Sequence, residues 1–288
     1  MKHFSIILSL IVVSLTGIAQ NQTDISLFMR ADSATYLDYV SSESGDLYKT
    51  IGHHGPAVEN EWLALRLYFD HKAAIDAYNK AKPGLELKAE RWYPSPEKQK
   101  SGWGADYYKV GSTVGLGGIR LWDGENVVKL DPVTLRSARV VKERTSSYME
   151  MLSEGVPYKD RKVDILVRVT VYSGIREAKV EAFALSDEPV QFVTGINYHK
   201  GSEIDNSDGK IVTWGLHPED VAAEAVEIGS ALIYNPDDYV EKTDDGKQFV
   251  LISKPGKQLT TWISSACAKE ETYNRFSTFK DYILKIEQ

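Results

Sequence analysis

The sequence predicts a mainly β fold, one large antiparallel β-sandwich with a few short helices. Three observations carry that expectation. From Ile165 to Tyr172, Val167, Val169 and Val171 alternate with Leu166, Arg168, Thr170 and Tyr172. After Ser173-Gly174 the alternation resumes from Arg176 to Leu185 through Ala178, Val180, Ala182 and Ala184. Period-two patterning on both sides of a glycine turn is the signature of a hairpin with one buried face. Second, more strand candidates follow at 190–198, 210–216, 230–234, 248–253 and 258–266, separated by Gly, Asp and Pro clusters. Third, no internal repeat, low-complexity linker or shift in composition divides the chain, so residues 20–288 read as a single domain.

The remaining elements follow in chain order. Met1-Lys2-His3 is a short basic start, Ser5 to Ile18 is almost wholly apolar, and Gly17-Ile18-Ala19 offers small residues at a cleavage site. Residues 1–19 therefore read as a secretory signal peptide, which implies a periplasmic protein free of the membrane after cleavage. Leu27 to Tyr48 is mixed, with polar turns at 41–46. Ala57 to Phe69 reads as a strand entering the core. Asp70 is a candidate cap for a short helix from His71 to Lys82, with Ala73, Ala74, Ala77 and Tyr78 on one face and Pro83-Gly84 as its stop. Leu85 to Tyr93 reads as a strand, 94–104 as a loop, and the end, 270–287, as an amphipathic helix carrying Tyr273, Phe276, Phe279, Tyr282 and Ile283.

Composition narrows the function. A formal net charge of −7 disfavours a nucleic-acid partner, although a small anionic substrate needs only two or three cations in one cleft. The single cysteine, Cys267, has no internal partner and reads as a small buried core residue. The 16 Tyr and 6 Trp suit sugar rings, and equally a β-rich core.

The densest run of reactive side chains is His53-His54-Gly55-Pro56-Ala57-Val58-Glu59-Asn60-Glu61-Trp62-Leu63-Ala64-Leu65-Arg66. Paired histidines at a Gly-Pro turn supply acid and base near neutral pH, or are simply two solvent-facing turn residues. On one continuous strand Glu59 and Glu61 would share a face and Asn60 and Arg66 the other, for catalysis or for a structural ion pair. Downstream, Asp106-Tyr107-Tyr108-Lys109-Val110-Gly111 precedes Gly115-Leu116-Gly117-Gly118. No strand–helix unit surrounds these glycines, so they fit tight strand crossings or close approach of a ligand rather than a nucleotide fingerprint. One of the two tyrosines belongs to the core. Tyr198-His199-Lys200 ends a strand, where binding loops gather, and His217 is a weaker case of the same kind. Neither helical His spacing, a cysteine pair nor an Asp-rich loop argues for a metal, and Gly-x-Ser-x-Gly is absent.

Two of these segments together resemble a known family. Pro56 to Tyr68 is similar to the W-E-N-D/E…A-F-R strand, and 106–122 to the D-Y-Y-K-V-G…G-x-G-G…L-W segment, of a bacterial polysaccharide-utilisation family long without an assigned function. The match is clear over 52–124 and looser towards the C-terminus. The resemblance implies a galactose-mutarotase-like supersandwich and an ulvan oligosaccharide dehydratase. Such an enzyme removes water across C4–C5 of a non-reducing-end glucuronate or iduronate and leaves a 4,5-unsaturated end. It implies no cofactor, and a uronic-acid-ended oligosaccharide as partner. Within that reading His53, His199, Tyr107 and Lys109 are the catalytic candidates. His54, Asn60, Glu61, Arg66, Arg91, Trp103 and Tyr198 are the substrate-binding ones, and Trp62 or Trp92 are further stacking platforms. A sugar epimerase or mutarotase, or a non-catalytic oligosaccharide-binding protein, are the alternatives.

Overall fold

The structure of the protein, a computed structural model, describes residues 22–207, 209–219 and 221–287; the expected signal peptide lies outside them. Its frame is a nine-stranded antiparallel sheet, in spatial order Glu203–Ser207, Lys210–Gly215, Ile228–Ile233, Gln258–Cys267, Ala178–Ala184, Arg161–Tyr172, Ser146–Tyr158, Leu135–Lys142 and Tyr39–Ser42. The expected hairpin lies at its centre, with Val169 opposite Val180 and Ile165 opposite Ala184. Its valines point inward, and Val167, Val169 and Val171 are fully buried. A five-stranded sheet (Tyr239–Asp244, Gln248–Ser253, Phe192–Asn197, Arg120–Trp122, Val127–Val128) and a four-stranded one (Asp24–Ser26, Ala57–Glu59, Leu63–Leu67, Ile75–Asn79) share one continuous apolar core with it. The protein is mainly β with multiple antiparallel sheets, as the alternation predicted.

The first hundred residues depart from expectation in three places. Ala57 to Phe69 is two strands, not one. The Asn60 side-chain oxygen accepts the N–H groups of Trp62 (3.0 Å) and Leu63 (3.1 Å), which closes a turn and brings Ala57 opposite Arg66. Glu59 and Glu61 therefore do not share a strand face. The segment expected as a helix contains the strand Ile75–Asn79, every residue of which is buried. Asp70 does cap, but it caps a turn, through the N–H groups of Lys72 (2.8 Å) and Ala73 (3.3 Å). With both faces of a segment buried, apolar spacing cannot separate strand from helix. Third, the expected strand 85–93 is the short helix Leu87–Glu90, closed by Arg91 and Trp92 in left-handed conformation, and the following loop contains the helix Pro96–Lys100, capped by Ser95.

The C-terminal helix forms as expected over Phe276–Leu284, and Phe279 and Ile283 pack with Trp214, Ala231 and Ile233 on the outer face of the large sheet. Cys267 is fully buried and free.

The segment 105–118 joins the two smaller sheets and thereby positions the candidate site. It bridges from Asn79 to Ala105 and from Ile75 to Gly115, then from Leu116 to Ile196, and Gly117 N–H donates to Gly195 O at 2.8 Å. Gly115 has φ +75°, and a Cβ there would stand 2.1 Å from the Ile75 carbonyl oxygen, so the seam tolerates only glycine. The tight crossing expected of these glycines is thus a backbone-to-backbone approach.

Candidate active site

One half of the site is built on the Leu63–Leu67 and Ile75–Asn79 hairpin. Arg66 lies opposite Asp76, and its Nε donates to Asp76 Oδ2 at 2.7 Å. Its Nη2 reaches Asp106 Oδ2 at 2.8 Å, and its Nη1 donates to the Tyr93 hydroxyl at 2.9 Å. Tyr68 donates to the same Asp76 oxygen at 2.6 Å. The guanidinium lies 4.6 Å from the Trp92 ring centroid, and Arg66 is 3% exposed. Two carboxylates, two hydroxyls and an aromatic face thus engage it. Substrate binding by Arg66 is corrected to positioning, because a buried guanidinium with two carboxylate partners has little to offer a third. Trp92, 1% exposed, is equally unable to stack on a sugar.

The histidine turn closes over this cluster. Gly55 permits it, since a Cβ there would fall 1.8 Å from the Leu67 carbonyl oxygen. His53 is buried, its Nε2 2.8 Å from Ser26 Oγ and its Nδ1 without a partner. Burial, with Arg66 close by, lowers its pKa to about 3, so it is a neutral ring beneath the surface. His54 stacks on Tyr48 at 3.9 Å, and its Nδ1 lies 2.8 Å from Tyr48 O. That bond places the proton on Nδ1 and leaves Nε2 to accept from Arg30 Nη2 at 3.2 Å. Burial also lowers the His54 pKa. Arg91 lies over the Phe28 ring at 5.4 Å and is near enough to His53 to depress it further. His53, His54, Arg91 and Trp92 are four of the six non-glycine residues with positive φ among those described, and such strain costs about 1–2 kcal/mol each.

The other half gathers where the 105–118 seam meets the end of Phe192–Asn197. Both tyrosines, not one, belong to the core: Tyr108 is buried, its hydroxyl donates to Asn197 Oδ1, and Asn197 Nδ2 donates to Lys109 O at 2.8 Å. Lys109 N–H donates to His217 Nδ1 at 3.0 Å, while His199 Nε2 lies 3.2 Å from Lys109 O. These bonds fix both tautomers. His217 carries its proton on Nε2, and His199 donates through Nε2 and keeps Nδ1 as its basic nitrogen. The rings meet edge to face at 4.3 Å. Burial lowers the His217 pKa to about 3 and, with the nearby Lys109 ammonium, also lowers that of His199. Tyr198 donates to Asp244 at 2.7 Å on the same rim.

Asp106 and Tyr107 connect the halves. With His217 they line a small cavity roofed by Ala222 and Glu224. The Tyr107 hydroxyl is buried without a hydrogen-bond partner, and the buried Asp106 carboxyl has the Trp92 indole N–H beside it as well as Arg66. Burial is the main cause that lifts the Asp106 pKa to about 7, against the pull of Arg66, and burial likewise raises that of the Tyr107 phenol. The enclosed space is about 10 Å³, room for a single water, so a sugar must enter from the rim where Lys109, Tyr198 and His199 are half-buried.

The other predicted residues lie elsewhere. Asn60 donates its amide to Tyr172 O (3.2 Å) and Ile175 O (2.9 Å) besides closing its turn, and Glu61 accepts from Ser173 Oγ (3.2 Å) and Gly174 N–H (3.1 Å). Both tie the small sheet to a turn of the large one, and Glu61 Oε2 is buried there without a partner. Trp103 lies between Lys82 (5.9 Å) and Lys98 (5.6 Å). Sequence reasoning passed over Asp76, Tyr93 and Asp106 as site members and ranked His217 low. The D-Y-Y-K run flagged the neighbourhood, but nothing local marks Asp106 as buried against Arg66. Among the described residues no group of three His, Cys, Asp or Glu side chains is arranged to hold a metal ion, and no helix is long and apolar enough to cross a membrane.

A mainly β, multi-sheet protein with a buried acid and neutral histidines at a sheet seam is the class this geometry defines. Residues 18–288 match the family described as Domain of unknown function (DUF4861), and the chain belongs to that family. No curated protein matches the sequence. Among solved structures, the chain is similar to a putative aldose 1-epimerase from Klebsiella pneumoniae subsp. pneumoniae MGH 78578. Identity is 10% and the TM-score 0.39, over 85% of this chain and 91% of that one. It is similar also to a 4-alpha-glucanotransferase from Thermococcus litoralis (9% identity, TM-score 0.37, 74% of this chain and 38% of that one). A third likeness is to a heparan sulfate lyase mutant from Pedobacter heparinus (11% identity, TM-score 0.37, 74% and 33%). The chain thus spans 38% and 33% of the latter two. All three are named for chemistry on carbohydrates; at these scores they bear on neither substrate nor mechanism.

Proposed function

We propose that the protein is a periplasmic carbohydrate hydro-lyase that removes water across C4–C5 of a uronic acid at the non-reducing end of ulvan-type oligosaccharides. The observation that carries this reading is the buried Asp106 carboxyl and the unpartnered Tyr107 hydroxyl on one cavity with His217, beside His199. An elimination α to a carboxylate needs a base for the C5 proton, a cation for the carboxylate and an acid for the leaving hydroxyl. His199 Nδ1 takes the C5 proton; its depressed pKa keeps the ring neutral and ready to accept it. Lys109 faces the C6 carboxylate and offsets the charge that develops there. Asp106, part protonated near neutral pH, supplies the proton for the departing C4 oxygen through the one water its cavity has room for, with Tyr107 as a hydrogen-bond donor to that water. One proton leaves carbon, one joins hydroxide, and the products are water and a 4,5-unsaturated uronate. Arg66 holds Asp106 in place without touching substrate.

Supplied with saturated uronyl oligosaccharides, the protein is expected to produce the ultraviolet absorbance of a conjugated enoate and a product lighter by one water. Asp106→Asn and His199→Gln are expected to abolish both signals while leaving the circular dichroism spectrum unchanged. Unaltered substrate across a panel of uronyl oligosaccharides would sink the proposal. Deuterium exchange at C1 without loss of water would replace it with an epimerase.

A further inference from the structure

A second cavity, of about 400 Å³, opens on the outer face of the nine-stranded sheet, beside the C-terminal helix. The inward residues of the Gln258–Cys267 strand, Leu259 and Ile263, fill the main core, so Thr260 and Trp262 point the opposite way. Trp262 lies opposite Lys179 on one neighbouring strand and Ile233 on the other, and its ring is 5.9 Å from Tyr172. Trp262, Ile175 and Ile286 line an apolar wall over the buried Ile233, and Ile175 is 42% exposed, which is unusual for an isoleucine at a turn. The polar groups of the lining are Glu177, Asn235, Asp238, Thr260, Glu287 and the hydroxyl of Tyr234. Three are carboxylates, and the lining contains no Lys or Arg.

We infer that this cavity is a binding site for a neutral saccharide, separate from the acid–base cleft. An indole and two isoleucines fit the C–H face of a pyranose. Carboxylate and amide oxygens are acceptors for its hydroxyl donors. The volume accommodates one or two sugar rings. The same carboxylates would repel a uronate or a sulfate ester, so the two sites select opposite ligands: the cleft with Lys109 takes the charged end, and this face holds uncharged residues. The inference stands on this cavity alone and is independent of the reaction proposed above.

The test is isothermal titration of the whole protein with neutral gluco-, xylo- and manno-oligosaccharides, and with a uronyl oligosaccharide for contrast. At least one neutral sugar is expected to bind saturably. Trp262→Ala should weaken it by about tenfold or more, and Trp262→Phe should retain most of the affinity. Asp238→Lys, a change at an exposed position, should weaken it too, and serves if Trp262→Ala does not fold. Asp106→Asn should bind as wild type. The inference fails if no neutral sugar binds, if Trp262→Ala and Asp238→Lys bind like wild type, or if only the uronyl oligosaccharide responds to these substitutions.

Discussion

Glu59–Lys80 and Arg66–Asp76–Asp106 are two buried charge clusters on the same four-stranded sheet, and they differ in how completely they are satisfied. Lys80 Nζ donates to Glu59 Oε2 (2.5 Å), Asn60 O (2.6 Å) and Gly84 O (2.6 Å), which uses all three of its donors. Glu59 also accepts the N–H groups of Glu86 (2.8 Å) and Leu87 (2.9 Å), so it anchors the start of the short helix Leu87–Glu90. Nothing in that cluster is left to react. Around Arg66, by contrast, the Tyr107 hydroxyl and His53 Nδ1 lack a partner, the Trp92 indole N–H has only Asp106 beside it, and left-handed backbone is concentrated in the same place. Buried charge by itself therefore marks architecture. The proposed chemistry is assigned to the cluster where buried charge, unpaired atoms and left-handed backbone coincide.

Breaking the closed cluster should cost the most stability. Lys80→Met leaves Glu59 buried without its counter-ion, with an expected loss of roughly 3–5 kcal/mol in urea unfolding and unchanged activity per folded molecule. A loss under about 1 kcal/mol would show that the cluster is not a structural anchor. In the open cluster the same kind of change should act the other way. Asp106→Asn is expected to lower turnover by roughly 10²–10⁴-fold, with stability above pH 7 altered by no more than about 1 kcal/mol. Retained turnover would remove Asp106 from the chemistry.

The pH dependence of stability sharpens the contrast. Burial raises the Asp106 pKa to about 7, above its usual 3.8, so between those values the native state holds a proton that the unfolded chain has released. Its contribution is complete below the unfolded value and is lost as pH rises through about 7. His53 and His217, lowered to about 3 from 6.5 chiefly by burial, act in the opposite direction. Their contribution is present above 6.5 and is lost as pH falls towards 3. The two effects oppose each other between about pH 4 and 6.5. Asp106→Asn should therefore steepen the acid destabilisation there by about 1.4 kcal/mol per pH unit, measured by denaturant unfolding at a series of pH values. An unchanged slope would show that Asp106 ionises normally.

The smallest effect is expected at Trp103, whose ring lies between two lysine side chains and outside both clusters. Trp103→Ala should reduce stability by about 1 kcal/mol or less and leave KM unchanged. A several-fold rise in KM would restore it as a sugar platform.

How much was legible depended on whether neighbours outside the local segment decided the outcome. The 165–185 hairpin and the terminal helix each present one face to the core, so alternation or helical spacing marks them directly, whereas later strands such as Phe192–Asn197 and Ile228–Ile233 are buried throughout and are marked by the Gly, Asp and Pro clusters that bound them. The first hundred residues carry strands buried on both faces, with Arg66, Asp76 and Lys80 inside, and there polarity misled. Asn60 and Glu61 look like ligand-binding residues in a reactive run. Their partners, Tyr172, Ile175, Ser173 and Gly174, lie more than a hundred residues away.

By itself the sequence determined a mainly β protein with its central hairpin, and it located two neighbourhoods of reactive side chains, because periodicity and residue type are local properties. Only the tertiary structure decided which charges are closed by partners and which remain open. It set Asp106 against Arg66, left the Tyr107 hydroxyl unpaired and joined His217 to His199 through the backbone of Lys109. Burial and hydrogen-bond satisfaction arise where distant segments meet, and they separate a structural ion pair from a titratable acid.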